Sequence, residues 1–576
     1  MKDIMKNKGH SSRGMSRRDF MTVAGGAALL AAFGAGAGNG WCDSNVPKVD
    51  PGNIPVRENK ADVLVVGSGL AGVFAAVKAH DAGAGVLMVS KGRLGASGQT
   101  PFARGVFAWD PETAKMSAAQ FTQKVSRSAL GTNNPVFTRQ MAEHSLDRLH
   151  ELMSWGFFDS PLYARSFRIP VNERNIPVME RVMLTHLIKE NGRIAGAAGF
   201  SLTPGEIVFF RAKTVVLCTG AGGFKPSGFP ICDLTHDGTC MAYDIGAKVT
   251  GKEWNDGHFS LAENPADVYG QWGGMLENPP TIEGVGVRHD LGMGMNYRAY
   301  VNGTAGRPGP LDHDGKATAG GPYRPAGFER PAPPHQGAAK GDSRPPRPKP
   351  GTLVGGASAG MSIHKAEGLV PFNDKGASNI PGLYAAGDAL GSHMCGGIYT
   401  QIGSSTMGSA VQGAIAGKAA ALEAKRLQLP GMSAVVQKQV RTGILAPLKR
   451  PRGYSPAWVT RTLRNVLVPN FVLYIKKASL MEAALAYVKE LQAHHLPMLK
   501  AGDFHELRLA HETANMVLNA EMKLRASLMR KESRCSHFRL DYPEMDTKNW
   551  NAWINIYKDA SGRMVLEKQA FGTWPA

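Results

Sequence analysis

The sequence has few cysteines, few aromatic residues and no long apolar run. Its six cysteines are scattered over 576 residues and form no C-x-x-C pair, haem-attachment site or ferredoxin run. The chain therefore has no sequence signal for an iron–sulfur cluster, a c-type haem or a disulfide framework of its own. Aromatic residues make up 8%, charged residues 20% and hydrophobic residues 43% of the chain. These fractions exclude a disordered chain and an integral membrane protein.

Acidic residues are fewer than basic ones, and the formal net charge is +19. A basic surface attracts nucleic acid, anionic lipid, an acidic substrate or an acidic protein. Because no nucleic-acid motif and no basic run with interleaved aromatic residues occurs, we expect no nucleic-acid partner. Glycine is abundant, with 69 residues. This abundance indicates tight turns and backbone that lies close to a ligand.

Residues 1–37 have the features of a twin-arginine signal peptide. Arg17 and Arg18 stand in the run Ser-Arg-Arg-Asp-Phe-Met, a Gly/Ala-rich stretch follows, and small residues at 35–37 fit a signal peptidase. The stretch is too short and too weakly apolar for a stable membrane span. We therefore expect a periplasmic or otherwise exported protein, carried by a route that accepts folded proteins with their cofactors in place.

The remaining sequence changes character along its length. From Ala61 an apolar strand, a glycine turn, an amphipathic helix and a second strand follow in order, which is the pattern of a βαβ unit. Residues 307–350 hold eleven prolines and almost no aliphatic run, so this stretch cannot form a packed core. The patterns predict helices over 135–155, 478–494 and 505–530 and strands over 178–199 and 206–217.

Three glycines in the first turn predict a dinucleotide site. Gly67, Gly69 and Gly72 form G-x-G-x-x-G directly after the strand and at the start of the helix. The first permits the turn, the second lets the backbone approach a pyrophosphate, and the third allows close packing of helix and strand. The second strand ends in Ser90-Lys91-Gly92, without the usual acidic residue, but a hydroxyl can still bind a ribose.

Further motifs resemble the flavoproteins of the fumarate reductase and succinate dehydrogenase family, which includes L-aspartate oxidase and the adenylylsulfate reductase alpha subunit. After Ser90-Lys91-Gly92, residues 95–105 read Gly-Ala-Ser-Gly-Gln-Thr-Pro-Phe-Ala-Arg-Gly. Residues 235–238 (Thr-His-Asp-Gly) resemble T-G-D-G, residues 382–388 match G-L-Y-A-A-G-D, and residues 532–544 resemble E-S-R-G-x-H-x-R-x-D-Y-P. The resemblance covers most of residues 60–560.

The resemblance implies an α/β fold with a Rossmann-like FAD-binding domain, an inserted α+β capping domain and a C-terminal helical domain. The expected boundaries are 60–250 and 351–425 for the discontinuous FAD-binding domain, 251–350 for the capping domain with its Pro/Gly-rich loop 307–350, and 426–576 for the mostly helical C-terminal domain.

The resemblance also implies which residues bind FAD. The expected set is Gly67, Gly69, Leu70, Ala71, Gly72, Ser90, Lys91, Gly92, Ser97, Gly98, Gln99, Thr100, Ala103, Thr219, Gly220, Asp237, Gly387, Asp388, Ser404 and Ser405. Covalent members attach FAD through a histidine just before the threonine of an S-H-T segment. Here Gln99 precedes Thr100, and since an amide cannot make that bond, we expect non-covalent FAD.

Family members transfer a hydride between flavin N5 and a substrate carbon while a second group handles the proton. His258 and His393 match two family positions, and Arg288 is a candidate for proton delivery. Gln401 stands where members have an arginine that clamps a carboxylate, so fumarate and succinate are poor candidates. Tyr399 is a candidate hydrogen-bond donor to a substrate carbonyl. Trp254 lies in the capping segment, where aromatic surface would suit a less charged substrate.

These residues favour a reductase of an activated C=C bond in a small organic substrate, with electrons from a separate iron–sulfur or cytochrome partner. Three alternatives stay open. They are a dehydrogenase or oxidase running in the reverse direction, an adenylylsulfate-reductase-like enzyme, and a flavin-bearing subunit that serves assembly or electron transfer alone.

Overall fold

The structure of the protein is a computed structural model. It describes residues 50–102, 106–157, 163–224, 234–255, 365–397, 403–467 and 475–575, with the short segments 260–261, 281–282, 287–288, 353–354 and 472–473. The predicted signal peptide and the Pro/Gly-rich loop 307–350 lie outside the described residues. The domain boundaries given above therefore stay predictions.

A large sheet, seven-stranded within the described residues, forms the centre of the region in which we expect the FAD site. The strands are β1 (Val56–Val66), β2 (Val86–Val89), β3 (Val178–Met179), β4 (Val182–Glu190), β5 (Arg193–Ser201), β6 (Glu206–Leu217) and β13 (Leu383–Ala385). Their order in the sheet is β3-β2-β1-β6-β5-β4, and β13 also pairs with β6. The pairs β1–β2, β2–β3, β1–β6 and β6–β13 are parallel, while β4–β5 and β5–β6 are antiparallel.

Strand β6 changes partner along its length. Its first half, from Glu206 to Arg211, pairs with β5, and Val215 to Leu217 pair with β13. The end of β6 therefore lies between β1 and β13, and the carboxyl ends of these parallel strands meet at one edge of the sheet. Ligands of open α/β sheets bind at such an edge.

Successive side chains of β1 point to opposite faces of the sheet, so they belong to two separate parts of the hydrophobic core. Val63 and Val65 point to one face and pack with Phe74 of the following helix, whereas Leu64 and Val66 point to the other and pack with Phe121. All are buried. Both faces of the sheet are therefore covered, which is expected of a parallel sheet.

The helices follow the predicted order closely. They are α1 (Leu70–Asp81), α2 (Pro111–Ala114), α3 (Ala118–Ser128), α4 (Pro135–Ser154), α5 (Tyr163–Glu173), α6 (Asp237–Asp244), α7 (Ser404–Ala424), α8 (Ala434–Lys449), α9 (Pro456–Leu467), α10 (Ala478–Glu490), α11 (Phe504–Met529) and α12 (Thr547–Trp550). The expected helices over 135–155 and 505–530 are confirmed as α4 and α11. The expected helix over 478–494 is confirmed as α10, which continues into a π-helical turn, Leu491–His495.

The backbones of helices α1 and α7 lie very close together, because α7 has glycines where the two helices are in contact. A Cβ placed on Gly413 would lie 2.3 Å from the carbonyl oxygen of Ala71, and one on Gly417 would lie 2.1 Å from that of Ala75. Any larger residue at either position would push the helices apart. The glycines thus hold α7 against the helix that starts at the first glycine turn.

The C-terminal part adds a second sheet to its helices. Strands β16 (Ala552–Lys558) and β17 (Met564–Ala570) form a hairpin that extends β7 (Val249–Thr250) and β12 (Gly368–Leu369) in the order β12-β7-β16-β17. The hairpin near the C-terminus therefore pairs with strands from the segments predicted to form the FAD-binding domain. Further short strands are β8 (Ser260–Leu261), β9 (Thr281–Ile282), β10 (Val287–Arg288), β11 (Leu353–Val354), β14 (Ile475–Lys476) and β15 (Phe538–Arg539).

The architecture confirms the predicted fold class, a mixed α/β protein with a βαβ dinucleotide unit and a helical C-terminal region. Among the described residues, no helix is both long enough and apolar enough to cross a membrane.

Candidate functional site

A cleft lies at the carboxyl ends of the parallel strands, with an empty volume of about 980 Å³ that includes open solvent at its mouth. Its walls are the turn after β1, the ends of β2 and β6, the segment before α6 and the turn after β13. The first glycine turn and the late Ala-Ala-Gly-Asp segment therefore meet here, as expected if both bind FAD, which the resemblance implies.

The first glycine turn can be built only without side chains. Gly67 has φ +106°, and a Cβ there would lie 2.2 Å from the carbonyl oxygen of Cys218. A Cβ on Gly72 would lie 2.0 Å from the carbonyl oxygen of Gly67. Helix α1 begins immediately after Gly69, so its first N–H groups and positive dipole end lie at the cleft wall. This is a cradle for a pyrophosphate.

The end of β2 carries a hydroxyl pair in place of the usual carboxylate. Ser68 Oγ donates to Ser90 Oγ over 2.6 Å, and both side chains are buried. Ser90 lines the cleft, so its hydroxyl is available at the place where the sequence predicts a ribose contact. Sequence reasoning missed Ser68.

The ammonium of Lys91 is held by acidic side chains. Its Nζ lies 2.7 Å from Asp237 Oδ2 and 2.8 Å from Glu512 Oε1, and it donates to Thr235 Oγ1. Burial lowers the pKa of Lys91, but the two carboxylates outweigh burial and raise that pKa above its ordinary value. Burial likewise raises the pKa of Asp237, and Lys91 with Asn515 and Thr235 brings it below its ordinary value. Lys91 is therefore a fixed cation whose charge is neutralised within the protein.

A second buried ion pair supports the opposite wall. Lys365, which sequence reasoning missed, pairs with Asp388 and donates to Ser409 Oγ over 2.8 Å and to Ser405 Oγ over 3.3 Å. Lys365 is fully buried and Asp388 is 8% exposed. The pair thus fixes the turn after β13 against the first turns of α7.

Most of the predicted FAD-binding residues come together at the cleft. Those that line it are Gly67, Gly69, Leu70, Ala71, Ser90, Lys91, Gly92, Ser97, Gly98, Gln99, Thr100, Thr219, Gly220, Asp237 and Asp388. Gly72, Gly387, Ser404 and Ser405 lie behind the lining. Gly387 has φ +68° and packs on Ala71, and Ser404 is buried at the start of α7. Ala103 lies outside the described residues.

Of the predicted catalytic residues, only His393 has a described side chain, and it does not line the cleft. Its imidazole stacks on Trp553 at 5.1 Å between centroids and lines a small separate cavity near Thr250. Burial, with a smaller effect from Arg530, lowers its pKa to about 3. His258, Tyr399 and Gln401 lie outside the described residues, and Arg288 is described only as backbone of β10. The catalytic roles of all five stay predictions.

Trp254 is an interior residue and does not present open aromatic surface. It is fully buried, its ring lies 4.6 Å from the guanidinium carbon of Arg530, and it meets His537 edge-on. The expectation that this ring offers surface to a substrate is therefore not supported by its position.

A buried charged cluster, which sequence reasoning missed, lies behind the cleft at His236. The carboxylate of Glu367 pairs with Lys252 and Lys523 and lies 3.3 Å from His236 Nδ1. Burial lowers the pKa of His236 to about 4 in spite of Glu367. Burial raises the pKa of Glu367, but the two lysines bring it well below its ordinary value. The cluster therefore holds a neutral imidazole at the cleft wall.

The residues present fit FAD. The start of α1 lies at the cleft wall, directly after Gly69, and Thr219, which lines the cleft, has a buried hydroxyl without a hydrogen-bond partner in the described structure. A bound dinucleotide would satisfy that hydroxyl and the helix N–H groups.

Comparison with known proteins agrees with this geometry. Residues 62–226 match the family model described as FAD dependent oxidoreductase, and residues 461–573 match the one described as Fumarate reductase flavoprotein C-term. A fumarate reductase (CoM/CoB) subunit from Methanothermobacter marburgensis is 26% identical over 84% of this chain and 95% of its own. The L-aspartate oxidase of Streptomyces coelicolor is 22% identical over 86% and 91%.

The fold is also that of a solved relative. One protein of the Mycobacterium smegmatis Sdh1 complex has a TM-score of 0.71 at 23% identity, over 90% of this chain and 96% of that one. With the cradle at the strand ends and both family models matching in their expected places, the protein is an FAD-dependent oxidoreductase that is similar to the flavoproteins of the fumarate reductase and succinate dehydrogenase family.

Proposed function

We propose that this protein is an exported reductase that uses non-covalent FAD to reduce an activated C=C bond of a small organic substrate. It takes its electrons from a separate iron–sulfur or cytochrome partner. The observation that carries the proposal is the cleft in which the glycine cradle, Ser90 and Asp388 come together at the strand ends. This is where a dinucleotide binds in an open α/β sheet.

The direction of reaction is proposed from the relatives and from the residues. A relative that matches over 95% of its own length is named a fumarate reductase subunit. Bound FAD supplies the hydride for the substrate carbon. In this chain His258 would polarise the substrate oxygen, Arg288 would deliver the proton and Tyr399 would donate a hydrogen bond to a carbonyl.

The substrate class follows from the residue at position 401. Glutamine cannot replace the fork of a guanidinium, which binds a carboxylate through two parallel hydrogen bonds. Substrates with one carboxylate or with a ketone or aldehyde beside the C=C bond therefore fit better than a dicarboxylate. The basic composition, with a formal net charge of +19, suits an acidic electron carrier.

The test is turnover by the purified holoprotein with reduced methyl viologen as electron donor. We expect oxidation of the dye with α,β-unsaturated monocarboxylates or enones, and little with fumarate. Absence of a bound yellow flavin after mild purification, or turnover with fumarate above that with every monofunctional substrate, would contradict the proposal.

The same preparation distinguishes the alternatives. Rapid reaction of the reduced flavin with oxygen in stopped flow would favour an oxidase, and a sulfite adduct with turnover of adenylylsulfate would favour an adenylylsulfate-reductase-like enzyme. Unchanged turnover in His258→Ala and Gln401→Ala variants would favour a flavin-bearing subunit that serves electron transfer or assembly alone. Export is tested separately, by locating the flavoprotein after replacing Arg17 and Arg18 with lysine.

A further inference from the structure

One face of α11 carries four polar side chains spaced three or four residues apart. They are Glu512, Asn515, Asn519 and Lys523, and we call them the polar stripe. Residues at this spacing lie one above another on a helix, so the stripe runs about 16 Å along α11. Asn519 and Lys523 are fully buried and Glu512 is nearly so. Buried polar groups require partners, and the partners of the stripe include three residues that line the cleft, Lys91, Asp237 and His236.

The first half of the polar stripe holds the pair Lys91–Asp237. Glu512 Oε1 lies 2.8 Å from Lys91 Nζ, and Asn515 Nδ2 donates to Asp237 Oδ1 over 2.8 Å. Both Lys91 and Asp237 line the cleft. Arg508, one turn before Glu512, donates to the same carboxylate over 3.1 Å. The ammonium of Lys91, on its flexible four-carbon stem, is thereby fixed from two sides.

The second half of the polar stripe fixes the position of His236. Asn519 Oδ1 accepts from Lys252, so its amide nitrogen faces His236 Nε2 and donates to it over 2.8 Å. Lys523 donates to Glu367, which faces the other nitrogen of the same imidazole. His236 has φ +61°, a left-handed conformation that few residues other than glycine adopt.

We propose that the polar stripe is a positioning element of the FAD site. A single helix of the C-terminal region holds three side chains of the cleft wall in place, and the retention of FAD depends on it. The physical reason is preorganisation: a wall whose polar groups are already oriented loses little conformational entropy when the cofactor binds. The stripe acts through Lys91, Asp237 and His236.

The test compares two identical substitutions on the same helix. Glu512→Gln removes the charge that faces Lys91. Glu506→Gln makes the same chemical change in the first turn of α11, where the carboxylate accepts only from the backbone N–H of Gly502 in the described structure. FAD release from the holoprotein is followed by the rise in flavin fluorescence, and helix content is followed by circular dichroism in the same samples.

We expect at least tenfold faster release of FAD from the Glu512→Gln protein, with unchanged helix content and with wild-type release from Glu506→Gln. Asn515→Ala provides an independent variant, because it removes only the donor to Asp237, and the same increase is expected. In a Lys91→Met background Glu512→Gln should add less than twofold, because the contact through which it acts is gone.

Three results would overturn the proposal. The first is release within twofold of wild type for both Glu512→Gln and Asn515→Ala. The second is equal acceleration by Glu506→Gln. The third is a full tenfold effect of Glu512→Gln that persists in the Lys91→Met background. If Glu512→Gln does not fold, the Asn515→Ala measurement decides alone.

Discussion

The buried pair Lys365–Asp388 allows a quantitative prediction. Lys365→Met removes the ammonium that pairs with Asp388, and leaves a carboxylate that is only 8% exposed at the cleft. Removing one partner of a buried pair costs about 3–5 kcal/mol. The carboxyl group can limit that loss by binding a proton.

Proton binding sets the magnitude and its dependence on pH. Protonating a carboxyl group of ordinary pKa costs about 1.4 kcal/mol for each pH unit above about 3.9, or roughly 4 kcal/mol at pH 7 and roughly 1.5 kcal/mol at pH 5. We therefore expect the variant to lose about 4 kcal/mol of unfolding free energy at pH 7, and less than half of that at pH 5, relative to wild type at the same pH.

The assay is urea unfolding of the full-length apoprotein at pH 5, 6 and 7, followed by circular dichroism. FAD is left out so that a change in cofactor affinity does not enter the stability difference. The control is the double variant Lys365→Met/Asp388→Asn, in which both partners are neutral, and it should recover most of the loss. A loss that is equal at pH 5 and pH 7, or a double variant no more stable than the single one, would refute the reasoning.

Three further predictions concern the cradle, the buried imidazoles and the thiols. Gly72→Ala should give protein without bound flavin, because the new Cβ would lie 2.0 Å from the carbonyl oxygen of Gly67. The control is Gly431→Ala, whose new Cβ would meet no atom within 4 Å. This control should keep the wild-type ratio of flavin to protein absorbance. With pKa values of about 4 for His236 and about 3 for His393, against about 6.5 in the unfolded chain, the contribution of these two imidazoles to stability should be constant above pH 6.5. It should fall below that pH by up to about 1.4 kcal/mol per unit for each imidazole, and a thermal melting temperature that does not change between pH 7 and pH 5 would count against it. Burial raises the pKa of the Cys535 thiol to about 12, so the folded protein should leave this thiol unalkylated by iodoacetamide at pH 8, as judged by peptide mass after quenching.

Local pattern was sufficient to predict the βαβ unit. The order of apolar strand, glycine turn and helix is a property of neighbouring residues, and the steric constraint on Gly72 is local, because its Cβ would meet the carbonyl oxygen of Gly67. For the same reason the amphipathic periods over α4 and α11 predicted those helices within one or two residues.

The partners of buried charges could not be predicted in this way. Lys91 and Glu512 are separated by more than 400 residues, and neither carries a mark in the sequence that assigns it to the other. The spacing of the polar stripe along α11 is visible, but the surface that it faces is not. Likewise, the resemblance suggested a catalytic role for His393, while the fold turns its imidazole towards Trp553.

By itself, then, the amino-acid order determined that a strand, a glycine turn and a helix would form a dinucleotide cradle, since sterics and helix periodicity act over a few residues. Only the tertiary structure decided that α11 of the C-terminal region would pair with Lys91 at the cleft wall and that Lys365 would form an ion pair with Asp388. The physical reason is that buried charges are stabilised by whichever opposite charge the packing brings within hydrogen-bond distance, and packing joins parts of the chain that are remote in sequence.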